Sequence, residues 1–188
     1  MNVEKMKELE TLRLNKEKLS QQHYQIIVKK RNELISASVT QFDKYFSDKG
    51  FKVVKSNSMV LATYNTLGIR LTLPDPKDSF LGAITILELS ISTPRKDYDI
   101  PVVTCGEVGG IRIETGEIKR LGEDTAEADI ASCKKEIVRL EQSISEAGNI
   151  SYCFGYVDKA EAKKNSRAKL DFVQYSTFLE ILEELFDS

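Results

Sequence analysis

His23 is the only histidine in the chain, so any Ser-His or Cys-His nucleophilic pair would have to be built on it. It stands between Gln22 and Tyr24 in a stretch free of Gly and Pro, where a polar residue tuning a helix contact is the economical reading. One histidine also leaves zinc and most transition metals without their usual ligands. The cysteines, Cys105, Cys133 and Cys153, are odd in number and show no CxxC spacing. That pattern predicts reduced thiols, not a disulfide framework or a structural zinc site. Gly106, Gly109 and Gly110 open the run TCGEVGGIRIETGEIKR. A phosphate loop needs G-x-x-x-x-G-K-[ST] or G-x-G-x-x-G leading into a helix, and neither spacing is present. Ile111, Ile113 and Ile118 instead alternate with charged residues, which predicts a hairpin turning at Thr115-Gly116.

Two carboxylates offer a different chemistry. Asp75 lies between Pro74 and Pro76, and Glu88 lies within the apolar run GAITILELSIST. Brought together at strand ends, such a pair could hold Mg²⁺ and activate water against a phosphodiester. The order helix, strand, strand ending in Pro74-Asp75, then a strand carrying Glu88 resembles the PD-(D/E)xK nuclease core. The resemblance implies Asp75 and Glu88 as metal ligands. That family carries a lysine two residues after the second acid; here the position is Ser90. Without that group no catalytic residue is assigned, no cofactor is expected, and the chain reads as non-catalytic.

A third chemistry is phosphate contact. Lys159, Lys163, Lys164, Arg167 and Lys169 put five cations against one Glu in residues 159–169, and phosphate contacts need charge more than geometry. The run contains no aromatic residue, so a solvated connection competes with nucleic-acid binding. Across the whole chain the charge is uneven: residues 1–50 carry +3, 51–122 carry +1 and 123–188 carry −6.

These groups must be positioned by recognisable elements. Residues 2–49 read as one long helix. Leu9, Leu12, Leu19 and Ile26 fall on a heptad seam with Lys16 and His23 between them, and Val28, Ile35, Val39, Phe42 and Phe46 form a second, greasier stripe. Gly50 supplies the stop. Residues 51–121 switch to runs rich in β-branched residues, with 74–78 and 93–101 expected as polar loops and the strand around Glu88 as a central one. Residues 123–147 form a second helix, with Ala126, Ile130, Cys133, Ile137, Leu140, Ile144 and Ala147 in strict 4-3 steps. That helix carries −4, which favours pairing with the positive first helix over pairing with itself. ISYCFGYV, 150–157, is expected as a strand, and 170–187 as a last, broadly amphipathic helix.

The expected fold is α+β: a long N-terminal helix, a mainly antiparallel sheet of about five to six strands, a heptad-patterned helix and a C-terminal amphipathic helix. Residues 1–27 are expected as a projecting helical arm and 28–188 as a single α+β body. The functional expectation is a protein-protein interaction module: an adaptor, regulator or inhibitor of the kind found among small bacterial or phage accessory factors. It would receive a protein partner, or a second copy of itself, through Leu9, Leu12, Lys16, Leu19, His23 and Ile26. No apolar run approaches the ~20 residues that span a bilayer, and the charged start MNVEKMKELE is unlike a secretory leader, so no membrane partner and a cytoplasmic location are expected.

Overall fold

The computed structural model describes residues 3–75, 83–105, 125–160 and 173–187. The hairpin expected around Thr115-Gly116 lies outside them.

Helix α1 runs Val3–Asp48. Its end is a Schellman motif. Gly50, at φ +83°, donates its N–H to the Ser47 carbonyl (3.0 Å), and Phe51 donates to the Phe46 carbonyl (2.9 Å). The Phe46 and Phe51 rings meet at 5.2 Å between centroids, the apolar contact that usually accompanies this stop. Glycine is needed there because the left-handed backbone crowds a Cβ.

Among the described residues seven strands follow in one antiparallel sheet: β1 Lys52–Lys55, β2 Met59–Tyr64, β3 Leu67–Thr72, β4 Thr85–Ser92, β5 Arg95–Thr104, β6 Tyr152–Phe154 and β7 Val157–Asp158. The order is β1-β2-β3-β4-β5-β6, with β7 also pairing β5. The β2–β3 turn is Asn65-Thr66, with Asn65 at φ 51°; Asn tolerates that conformation better than most residues. Lysines at both ends of the short edge strand β1 blunt it against pairing with another chain. The fold is α+β as expected, with β4 central.

Residues 95–101 are strand, not the polar loop expected. Arg95, Lys96, Asp97 and Asp99 disguise a clean alternation in which Tyr98, Ile100 and Val102 are buried. The loop is only Thr93-Pro94, between the paired Ser92 and Arg95. Pro101 explains why 150–157 forms two strands. Gly155 donates to the Pro101 carbonyl (3.0 Å), but Pro101 has no N–H to return the bond, so the ladder breaks between β6 and β7.

Helix α3 is Phe178–Phe186, much shorter than the 170–187 expected. Tyr175 is drawn into an isolated bridge with Phe154. Thr177 then caps the helix, its hydroxyl accepting from the Glu180 N–H at 3.3 Å, while Glu180 accepts from the Ser176 N–H at 2.9 Å. The T-x-x-E signature of this cap was present in the sequence.

The chain divides into two compact units, Met1–Lys29 with Arg112–Ile150, and Lys30–Ile111 with Ser151–Ser188. In the second, one face of the sheet is covered by the later part of α1, through Phe42, Tyr45 and Phe46, and by α3, through Phe178, Ile181 and Leu182. Leu179 N–H donates to the Gln41 side chain (3.0 Å) and ties the two helices together. Each fully buried aromatic or aliphatic side chain contributes about 1.5–3 kcal/mol. The opposite sheet face carries Arg70, Glu88, Ser90, Asp97 and Asp99 by the same alternation.

Candidate functional site

In the first unit, helix α2, Thr125–Glu146, is tied to α1 by three ion pairs: Lys5 with Glu127, Glu8 with Lys134 (2.7 Å) and Lys16 with Glu136. The pairs advance in the same direction along both helices, so the two run parallel. On α1 Lys5, Leu9, Leu12, Lys16, Leu19, His23 and Ile26 are all half-buried and recur in 4-3 steps, the spacing of a seam facing one neighbour; Ser20, Ile27 and Val28 beside them are half-buried too. On α2 Ile130 and Ile137 are buried, with Cys133, Leu140 and Ile144 half-buried. All six residues expected to bind a partner therefore share one face of α1, and none of them is fully buried. The hydrogen bond to Glu136 holds the Lys16 ammonium above the ordinary lysine value, against a smaller desolvation effect.

In the second unit Glu88 and Asp99 are directly opposed on β4 and β5, an arrangement that like charges would ordinarily disfavour. Lys159 resolves it. Its ammonium lies 3.0 Å from Glu88 and 2.9 Å from Asp99. Partial burial works against the charge, yet the hydrogen bonds to Asp99 and Glu88 keep its pKa raised. Beside them, a hydrogen bond from Ser90 is the main reason the Asp97 carboxyl is held below its usual range, with the Arg95 charge adding to it. Ser90 therefore serves a carboxylate one strand away.

Glu88 is opposite Thr72, where β3 ends, three positions before Asp75. The Asp75 backbone carbonyl accepts from the Arg31 guanidinium at 2.6 Å. Among the described residues no group of three or more His, Cys, Asp or Glu is placed to hold a metal ion. Of the basic segment, Lys159 is engaged with carboxylates, and Lys163, Lys164, Arg167 and Lys169 lie outside the described residues. The Lys159 pairing left no local signal in the sequence, because its partners are 71 and 60 positions away.

The cysteines depart from expectation. Cys105 and Cys153 form a disulfide, with Cα atoms 5.1 Å apart. Cys153 stands opposite Val103 in the β5–β6 ladder, and Cys105 follows two residues later on the same face. The odd count misled because Cys133 belongs to a helix seam and is the free one. Among the described residues no helix is long and apolar enough to cross a membrane.

Comparison with family models, curated proteins and solved structures finds no match, so the functional reading rests on the geometry.

Proposed function

We propose that the chain is a non-catalytic protein-protein interaction module, an adaptor, regulator or inhibitor, that works through the α1–α2 helix pair. The observation that carries this reading is the incomplete burial of the seam. With α2 tied on, Leu9, Leu12, Leu19 and Ile26 are still only half-buried. Met6, Tyr24 and Val138 remain exposed on the same two helices.

The first occupant we assign is a second copy, in a four-helix coiled-coil arrangement. Positive α1 of one copy would lie against negative α2 of the other, which favours that register over like against like. Exposed ion pairs contribute only about 0.2–1 kcal/mol each, so they select the pairing while the apolar seam supplies the affinity. A cytoplasmic location would keep Cys105 and Cys153 as thiols, and the redox state of this pair in native extracts reports where the chain works.

Sedimentation equilibrium of the full chain tests the reading. A dimer is expected, and Met6→Glu with Tyr24→Glu, both at exposed positions, should shift it toward monomer without loss of helical circular dichroism. A monomer at all concentrations would remove self-association. The nuclease reading, with Asp75 and Glu88 as ligands, predicts Mg²⁺-dependent cleavage of DNA or RNA that Glu88→Ala abolishes; that result would displace the interaction reading altogether. Nucleic-acid binding through 159–169 predicts salt-sensitive retention of the chain by DNA or RNA without cleavage.

A further inference from the structure

A cavity of about 340 Å³ opens between the β4–β5 turn, the end of α1 and the end of α3. That volume is in the range of clefts that hold small molecules. Its floor is apolar and fixed: Phe46, Ile69 and Tyr98 line it and are each at most 5% exposed. Its rim is cationic, with Lys49 and Lys96.

Lys96 occupies an unusual position. Along β5 the inward-facing series is Lys96, Tyr98, Ile100 and Val102. Across the sheet, Ile69 of β3 pairs with Ile91 of β4, and Ile91 pairs with Lys96. An ammonium thus ends a row that is otherwise aliphatic. Lys49 is already paired with Asp187 at 2.6 Å and lies 4.7 Å from the Tyr45 ring centroid. Lys96 has no ion-pair partner among the described residues. Lys96 is exposed, so its ammonium is open to an incoming anion at the edge of the apolar lining.

We propose that this cavity binds an amphiphilic small carboxylate, a straight-chain acid. Its hydrocarbon rests on Phe46, Ile69 and Tyr98, and its carboxylate is met by Lys96. The inference stands apart from the interaction reading, which concerns the other unit, and either can fail without the other.

Titration calorimetry of the full chain with decanoate below its micellar concentration, and with decanol as the uncharged match, tests it. Saturable one-to-one binding of decanoate is expected, about tenfold tighter than decanol, a difference on the order of one charge-assisted contact. Lys96→Gln should bring decanoate down to the decanol affinity and leave decanol unchanged. Leu67→Trp, which adds bulk to the lining, should weaken both in a chain of unchanged circular dichroism. The proposal is overturned if decanoate does not saturate, if decanol binds equally well, or if Lys96→Gln leaves decanoate unaffected. In those cases Lys96 merely lays its stem over Ile91 with its head in water. A peptide ending in Leu-Phe with a free carboxylate, binding more tightly than decanoate, would overturn the small-acid assignment.

Discussion

Asp187 closes the second unit with two bonds, one from the Tyr45 hydroxyl of α1 at 3.0 Å and one from the ammonium of Lys49, just past the end of that helix, at 2.6 Å. The hydrogen bond from Lys49, then that from Tyr45, holds its carboxyl below the ordinary value, against a desolvation effect. Burial, followed by the Asp187 hydrogen bond, keeps the Tyr45 phenol protonated far above its usual pKa, so Tyr45 is a donor at every pH of interest. A carboxyl depressed in the folded state contributes stability that is fully present above its unfolded value, about 3.9, and is lost as pH falls through the lower folded value. Asp187→Asn should therefore lower stability at neutral pH slightly and flatten its decline below about pH 4. Urea midpoints measured across the acid range check this; parallel wild-type and variant curves would show that the pair contributes nothing. The effect is small because both side chains are more than a third exposed.

The two parts of α1 should respond differently to loss of a side chain. Phe42 is fully buried against the sheet, so Phe42→Ala should cost about 3–5 kcal/mol. Ile137, on the α2 seam, is 7% exposed, and Ile137→Ala should cost nearer about 2 kcal/mol. Hydrogen exchange separates them. Ile137→Ala should speed exchange in α2 and the first part of α1 while β2–β5 keep their protection; a uniform rise would mean that the units open together. Periodicity made the two long helices and the central strand legible, because their apolar stripes run for several turns or cover both faces. The stop at Gly50 was legible from glycine chemistry alone. β5 was not, since four charged residues in five hid the alternation of Tyr98, Ile100 and Val102. Nor was the start of α3, where the apolar residues ahead of Thr177 extended the helical pattern beyond its cap. The seam residues of α1 could be read as a set, but the face they present was fixed by pairings to α2 more than a hundred positions away.

Between β5 and β6 the sequence makes an excursion that includes all of α2, so the two units interleave along the sequence. Cys105 and Cys153, 48 positions apart, join the strands on either side of that excursion. Closing a loop of this size restricts the unfolded chain and typically contributes roughly 2–4 kcal/mol. The bridge also changes what a cut means. A protease that nicks the backbone once anywhere between these cysteines severs the polypeptide without separating its pieces. The nicked protein should migrate as one species on a denaturing gel run without reductant and as two with it. Two fragments in both lanes would show that the thiols are free. With the bridge in place, one cut leaves each half of the intervening segment still anchored to a cysteine of the pair.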